Sequence, residues 1–373
     1  MAGIYIHIPF CKSRCIYCDF YSTLHLDKRD AYVESLLREM KERRYELPAD
    51  CRTYHTLYIG GGTPSTLPPA LLSKLIREAA GLFPLEPDAE VTLEANPDDI
   101  QPDLLAALKD TPVNRISMGV QTFDDTLLKT LRRRHDSTQA IQAVERLHAA
   151  GYHNLSIDLI YGIPGQERSI WQKDVETALS LDVPHMSAYS LMYEEGTRLT
   201  QMRDRGEVCE MDEESALWCF RHLCERLREA GYVHYEISNF ARPGYHSRHN
   251  HSYWQGIPYL GFGPGAHSYD GDRLRRWNES HLLDYLAQGA RYDTEHLTDT
   301  DLYNEYVMTR LRTREGIDLT DLLQRFGADK AAYAMEQARP HLQEGYLRQT
   351  GSYLSLTEEG IFISNQIMSD LFL

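Results

Sequence analysis

The sequence predicts an α/β fold in which six β-then-α units are followed by a smaller α+β domain. Six short apolar runs have the length and spacing of strands, amphipathic segments separate them, and a hairpin follows two helices near the C-terminus. The predicted strands are Gly3–Ile8, Thr56–Ile59, Glu90–Glu94, Arg115–Gly119, Asn154–Ile160 and His185–Leu191.

The segments between these strands carry helix start and stop signals. Pro68-Pro69 opens a stretch that closes at Gly81, and Ser137 or Thr138 is placed to cap a helix that ends at Gly151. Ser156–Ile160, with its neighbours, partly matches the near-continuous apolar run expected of a parallel strand buried on both faces. Six such units fit an open doubly wound sheet or a partial barrel, and both bind ligands at the carboxyl ends of the strands.

The second half of the chain has a different character. A helix is predicted from Asp212 to Ala230, before Gly231, and an aromatic and His-rich stretch follows from Tyr232 to Trp277. From Thr298 the pattern is helix, helix, hairpin and a last helix, which is typical of a winged-helix-like domain. We therefore expect a core at 1–230, a segment packing on it at 231–297, and a C-terminal domain at 298–373.

Composition limits the classes of function. The formal net charge of −16 argues against broad nucleic-acid binding, which needs a basic surface. The sequence contains no apolar stretch of 18 residues, so no membrane span is predicted. A peripheral contact with a membrane is compatible with this prediction. The start MAGIYIHIPF lacks a signal-peptide pattern, and seven cysteines, an odd number, indicate reduced thiols. We expect a cytoplasmic protein.

Three cysteines near the start, Cys11, Cys15 and Cys18, have the spacing C-x3-C-x2-C. Three thiolates leave one position open on a tetrahedral iron or zinc centre, and an open position is where chemistry takes place. Structural zinc sites usually use paired C-x2-C motifs, and no second pair is present. The spacing therefore favours a [4Fe–4S] cluster over zinc.

Polar residues follow several predicted strands at their carboxyl ends. The run Gly60–Ser65 is neither a P-loop nor a dinucleotide fingerprint, so it is either a tight turn or a ligand-binding loop, which Thr63-Pro64 favours. Glu94, Gln121 and Asp158 end or follow later strands. Glu94 and Asp158 suit either acid–base catalysis or the binding of ribose hydroxyls, and their separation along the chain does not decide between them.

Two further motifs lie in the second half. Arg248–Trp254 combines histidines with flat aromatic residues, which suits a haem site but also an ordinary loop histidine. The run Gly261–Gly265 contains Pro264 and precedes no helical pattern, so we interpret it as an irregular loop that brings the His-rich stretch near the sheet.

These motifs together resemble the radical S-adenosylmethionine (SAM) superfamily. The likeness is to its branch that contains an oxygen-independent coproporphyrinogen III dehydrogenase and a group of haem chaperones, and it extends over nearly the whole chain. The matching segments, in order, are Tyr5–Cys11, Gly60–Ser65, Glu94–Pro97, Arg115–Gln121 and Ile157–Pro164. The resemblance implies a partial (β/α)6 TIM-type barrel with a small α+β tail.

The resemblance also implies a role for each site residue. Cys11, Cys15 and Cys18 would hold three irons of a [4Fe–4S] cluster, and the SAM amine and carboxylate would chelate the fourth. Reduction of the cluster would cleave SAM to methionine and a 5′-deoxyadenosyl radical. The SAM contacts implied are Gly61, Gly62 and Thr63 at the methionine end, Glu94 and Gln121 near the ribose, and Arg133 and Asp158, with Tyr5 and Tyr17 flanking the cluster.

Two positions separate the branches of this superfamily. The dehydrogenase has a further cysteine where this chain has Phe20, and His249, Asn250, Tyr253 and Trp254 look like the H-N-x-x-Y-W segment of the haem chaperones. The resemblance therefore implies a protein that binds haem and passes it to an unidentified acceptor protein. A radical enzyme acting on a porphyrin is the alternative, a zinc-binding scaffold is the third hypothesis, and no catalytic residue is assigned.

Overall fold

The structure, a computed structural model, describes all 373 residues. A twelve-stranded sheet dominates it, and the six predicted strands lie side by side in chain order, all parallel, at its centre. All six strands predicted from apolar runs are confirmed. Their bounds are β1 (Ala2–Ile8), β2 (Tyr54–Gly61), β3 (Leu85–Ala95), β4 (Arg115–Gln121), β5 (Leu155–Tyr161) and β6 (His185–Ser190).

The side chains of these strands alternate between two environments. In β1, Ile4, Ile6 and Ile8 are fully buried on the side of the sheet that carries the main hydrophobic core, whereas Tyr5 and His7 point to the opposite face. The opposite face therefore collects the polar and aromatic side chains of the central strands, and it is the face on which a ligand site is expected.

Helices connect the central strands. The helix predicted after Pro68 is α2, but the cap of α5 is Asp136 and not Ser137 or Thr138. Asp136 accepts the Gln139 backbone N–H while the Gln139 side chain returns to the Asp136 N–H, which forms a capping box. The bounds are α1 (Arg29–Arg43), α2 (Pro69–Leu82), α3 (Pro102–Leu108), α4 (Asp125–Thr130), α5 (Ser137–Ala149), α6 (Arg168–Ser180), α7 (Arg198–Asp204) and α8 (Glu213–Glu229).

Residues 231–297 extend both edges of the same sheet. β8 pairs antiparallel with β6 and carries β7 outside it, while β9 pairs parallel with β1 and is followed by β10, β11 and β12. The elements are β7 (Val233–Glu236), β8 (Asn239–Ala241), α9 (Arg248–Trp254), β9 (Tyr259–Phe262), β10 (His267–Tyr269), β11 (Leu274–Asn278), α10 (Leu282–Gln288) and β12 (Tyr292–His296).

We expected the glycine run at 261–265 to form an irregular loop. Its first residue, Gly261, instead belongs to strand β9. A Cβ atom on Gly261 would lie 1.9 Å from the carbonyl oxygen of His267, so only glycine lets β10 pass this closely over β9. The absence of a side chain at this position is therefore a packing requirement of the sheet edge.

The C-terminal residues form a small domain with its own core, built around Tyr303, Leu322 and Leu354. Backbone hydrogen bonds from Ile237 to Arg312 and from Arg314 to Tyr235 join it to the sheet edge. None of the helices is long and apolar enough to cross a membrane. The elements are α11 (Asp299–Leu311), β13 (Ile317–Asp318), α12 (Leu319–Gln343), β14 (Leu347–Thr350), β15 (Tyr353–Leu356), α13 (Glu358–Phe362) and α14 (Ser364–Asp370).

Candidate cofactor site

The three cysteines lie on the loop that follows β1. The base of this loop is closed by two backbone hydrogen bonds, from Cys11 to Thr23 and from Thr23 to Pro9. Its middle is held by Ile16, whose N–H donates to Leu131 and whose carbonyl accepts from Leu199. The loop is therefore anchored between the first strand, the end of α4 and the start of α7.

The thiols themselves are half-buried and unpaired. Burial raises the pKa of Cys11, and it raises the pKa of Cys18 to about 11, so both carry a proton at neutral pH. A bound metal centre would displace these protons. No three His, Cys, Asp or Glu side chains are arranged as the ligands of a single metal ion.

Arg133 links this loop to the strands beside it. Its guanidinium lies 3.3 Å from the sulfur of Cys15 and donates to the Asn96 side chain at 2.7 Å and to the Gly119 carbonyl at 2.6 Å. The Nε atom is buried without a partner. An unpaired donor in such a place indicates a group that is still to be bound there.

Gly61 and Gly62 bring the second strand close to the cysteine loop. A Cβ on Gly62 would lie 2.9 Å from the Phe10 carbonyl oxygen and 3.0 Å from the Cys11 sulfur, and Gly61 has a φ of 115°. The next residue, Thr63, places its hydroxyl 3.8 Å from the Cys11 sulfur and accepts from Asn96 at 3.2 Å. This run is therefore more than a turn, because it leaves room beside a cysteine.

Glu94 lies on the same face of the sheet. Its carboxylate accepts from the Tyr58 hydroxyl at 2.6 Å and from the Gly61 N–H at 3.1 Å. Burial raises the pKa of Glu94 to about 7, although the two hydrogen bonds oppose the shift. Burial likewise raises the pKa of Asp158, which is bonded to Ser187, to about 6. Both carboxyl groups are held in place by neighbouring hydroxyls.

Gln121 has an unusual backbone conformation. It has a φ of 73° at a bulge where β4 shifts register against β5. Its side chain folds back over Gly119, where an added Cβ would lie 2.6 Å from the Gln121 Nε2 atom. A strained residue of this kind is a mark of functional sites.

Tyr5 and Tyr17 pack against different parts of the structure. Tyr5 stacks on Tyr58 with ring centroids 6.1 Å apart and reaches His7 at 3.1 Å. Tyr17, next to the third cysteine in the loop, packs against the small apolar cluster that includes Leu131. The structure thus assembles at one edge of the sheet the thiols, glycines, carboxyls, amide and arginine that the sequence singled out.

A group of ion pairs that no sequence motif predicted holds the cysteine loop in place. Asp99, whose side chain is 3% exposed, accepts from Lys12 at 2.6 Å, from Ser65 at 2.9 Å and from Arg134 at 2.9 Å. Arg134 also binds Asp98 at 2.9 Å. Because no spacing rule relates these positions, only the fold reveals that Arg134 is a structural ion-pair residue while Arg132 is exposed.

A second feature is a cavity of about 1090 Å³ between the sheet and the C-terminal domain. It begins beside the cysteine loop, where Arg14, Asp19 and Phe20 line it, and ends at α11 and α12. Tyr253 and Trp254 line it, but His249 and Asn250 do not.

His249 is 2% exposed and has both ring nitrogens engaged. It bonds the Thr56 hydroxyl at 2.8 Å and the Tyr253 hydroxyl at 2.8 Å, and burial lowers its pKa to about 3. In this arrangement the imidazole orients Tyr253 and has no free nitrogen for a metal.

Comparisons with known proteins agree with this geometry. A family model described as the radical SAM superfamily matches residues 5–178, and one described as the HemN C-terminal domain matches residues 297–363. The structure of coproporphyrinogen III oxidase (HemN) from Escherichia coli superposes with a TM-score of 0.85 at 23% identity, covering 100% of this chain and 90% of that one. This likeness confirms the predicted α/β fold class.

The fold and the three-cysteine loop define a radical SAM protein, and that class implies a [4Fe–4S] cluster and SAM. More narrowly, the chain belongs to the HemW family. It is 35% identical over 372 residues to a protein of Lactococcus lactis called heme chaperone HemW, covering 99% of this chain and 97% of that protein. It is 34% identical to the protein of the same name from Escherichia coli, covering 100% and 98%.

Proposed function

We propose that this protein binds haem in its large cavity and passes it to an acceptor protein, beside a site for a [4Fe–4S] cluster and SAM. The cavity carries the proposal, because its volume of about 1090 Å³ lies just above the usual range of small-molecule sites, roughly 300–1,000 Å³, and leaves room for a large planar ligand. The full-length similarity to proteins called heme chaperone HemW supports it.

The walls of the cavity suit a flat, dianionic ligand. Aromatic side chains provide planar apolar surface, among them Tyr253, Trp254, Tyr259, Tyr306 and Phe326. Four arginines line the cavity, Arg14, Arg275, Arg310 and Arg325, and those without an acidic partner can bind carboxylates. A porphyrin with two propionates combines the shape and the charge that these walls complement.

The four residues of the H-N-x-x-Y-W segment take different parts in this proposal. Tyr253 and Trp254 contact haem from the wall of the cavity. His249 acts through Tyr253, because its Nε2 fixes the phenol hydroxyl at 2.8 Å, and Asn250 lies in the same helix without reaching the cavity. His249 is a positioning residue in this proposal.

At the cofactor site, Cys11, Cys15 and Cys18 would hold the cluster. Gly61, Gly62 and Thr63 leave room for the methionine end of SAM. Glu94 and Gln121 accept hydrogen bonds from its ribose or donate hydrogen bonds to it. Arg133 and Asp158 complete its polar surroundings. Tyr5 and Tyr17 limit the access of water. When bound, the cluster supplies one-electron chemistry toward SAM, and the protein's part is to orient both groups.

A radical enzyme acting on a porphyrin is the second candidate. The positions of Glu94, Gln121 and Arg133 near the cysteine loop support it, because a radical enzyme would need SAM held there. Phe20 counts against the dehydrogenase reaction, since this side chain, 67% exposed, stands at the cavity where that enzyme has a further cysteine.

Anaerobic reconstitution with iron and sulfide, followed by haem titration and transfer to apo-cytochromes with and without SAM, tests the proposal. We expect one haem per chain, transfer that depends on the cluster, and only slow formation of 5′-deoxyadenosine. Haem that stays bound in the presence of every acceptor, together with porphyrin-stimulated 5′-deoxyadenosine, would favour the enzyme instead. We further propose that the protein works in the cytoplasm, where its seven free cysteines stay reduced.

A further inference from the structure

We propose that His267 is the axial ligand of haem iron in this cavity and that Arg14 and Arg310 bind its two carboxylates. This inference rests on the proposed function and deepens it, since it replaces the histidine of the H-N-x-x-Y-W segment as the metal ligand. Among the side chains that line the cavity, these three have a free ring nitrogen or an unpaired positive charge.

Only two histidines line the cavity, His7 and His267. His7 is 6% exposed and has both ring nitrogens engaged, one with the Tyr5 hydroxyl at 3.1 Å and the other with the Tyr21 carbonyl at 3.0 Å. His267 is exposed to the cavity, and its ring nitrogens make no hydrogen bond within the protein. Iron coordination needs a free nitrogen, so His267 is the histidine that can supply it.

The backbone holds His267 in a defined place. It lies in β10 opposite Trp277 of β11, and the two rings stack with centroids 5.8 Å apart. Its carbonyl rests against Gly261, where even a Cβ would be too large. Partial burial and the neighbouring Arg275 lower the pKa of His267, which favours the neutral imidazole that a metal requires.

The charges of the cavity divide its arginines into two pairs. Arg275 is neutralised by Glu295 and Glu305, and Arg325 by Asp321 at 2.8 Å. Arg14 and Arg310 have no acidic partner.

Arg310 binds only the Gln255 amide and lies over the Tyr306 ring, 5.4 Å from its centroid. Two uncompensated cations match two propionates in number and sign. Arg14 also lies between Cys11 and Cys15 along the chain, so a bound carboxylate would touch the loop that carries the cluster.

The ligand assignment is tested with reconstituted full-length protein carrying His267→Ala, His249→Ala or the exposed His153→Ala as control. We expect His267→Ala to lose the imidazole-ligated haem spectrum, to weaken haem binding about tenfold or more, and to regain the spectrum with added imidazole. His267→Met should give a thioether-type spectrum. An unchanged spectrum in both His267 variants, with loss in His249→Ala, would overturn the assignment.

The carboxylate assignment is tested with haem and its dimethyl ester. Arg14→Gln and Arg310→Gln should each weaken haem binding about tenfold and leave binding of the ester unchanged, while Arg77→Gln, an exposed arginine on α2 outside the cavity, should change neither. If these two variants lost affinity equally for haem and for its ester, or lost affinity for neither, the carboxylate assignment would be overturned. Absence of saturable haem binding by the unmodified protein would instead refute the proposed function, so the two failures are distinguishable.

Discussion

Arg133 lies 3.3 Å from the sulfur of Cys15, although 118 positions separate the two residues in the chain. The same guanidinium binds the ends of two neighbouring strands through Asn96 and the Gly119 carbonyl. One side chain therefore ties the cysteine loop to the edge of the sheet where SAM is proposed to bind. Only the forked shape of arginine can make these contacts together.

Arg133→Lys should weaken SAM binding about tenfold or more, because a single ammonium cannot hold the Cys15 sulfur, the Asn96 side chain and the Gly119 carbonyl together beside the site. Anaerobic calorimetry on reconstituted protein measures this. Arg132→Lys is the matched control, since Arg132 is exposed and makes no ion pair. Equal affinity for SAM in the two variants would contradict the role of Arg133.

Gly62→Ala should lower the iron and sulfide content of the protein, because the added methyl would press on the Phe10 carbonyl and the Cys11 sulfur. Gly81→Ala is its control: nothing lies within 4 Å of that position in α2, so this change should stabilise the protein by about 0.5–1 kcal/mol. Full cluster content in Gly62→Ala would show that the loop can move away at little cost.

Asp99→Asn should destabilise the fold by about 1–3 kcal/mol and loosen the cysteine loop, because Lys12 and Arg134 lose the charge of a buried partner. Asp98→Asn should cost far less, since that carboxylate is 18% exposed and pairs with Arg134 alone. Thermal unfolding and iron content together measure both effects. Similar losses in the two variants would mean that Asp99 does not tether the loop.

Glu94 should make stability depend on pH. Its pKa is about 7 in the folded protein and 4.5 as an ordinary carboxyl, so its protonated form favours folding at low pH. That contribution is fully present below pH 4.5 and is lost as the pH rises through 7. Between pH 5 and pH 8, the free energy of unfolding of the SAM-free protein should therefore fall by on the order of 1–3 kcal/mol more than that of the Glu94→Gln variant. Parallel curves would refute the shift.

Phe20→Ala should leave stability within about 0.5 kcal/mol, because the side chain is 67% exposed, but should weaken haem binding several-fold by removing an apolar wall. Leu24→Ala is a fitting control, since Leu24 is 56% exposed on the same loop and does not line the cavity. Competition with an apo-haem protein measures both affinities, and equal values would remove Phe20 from the site.

The central strands could be predicted because short runs rich in apolar residues are typical of buried parallel strands, and β1 and β5 are such runs although His7 and Asp158 interrupt them. The edge strands could not: β8 and β10 have three residues each, and β12 is mostly exposed with charged residues. Such segments acquire strand geometry from the neighbour they pair with. Gly261 in β9 suggests an irregular loop in the sequence, but glycine is required there because the His267 backbone passes close to it.

The cofactor residues could be named because they stand in short motifs, such as the cysteine triplet and Gly60–Ser65. The contacts that hold them join distant positions, as Asp99 does with Lys12, and no local pattern marks these. The H-N-x-x-Y-W segment pointed to haem, but its histidine is buried with both nitrogens bonded, which sequence alone cannot show. His267 escaped notice because it stands outside every motif.

Haem titration of the reconstituted full-length protein, followed through the Soret band, tests the central claim most directly. The account predicts a saturable change that ends at one haem per chain and shrinks when the cavity residues Tyr253 and Trp254 are both replaced by alanine. A Soret change that grows linearly without saturation, or that is the same in the double variant, would contradict it.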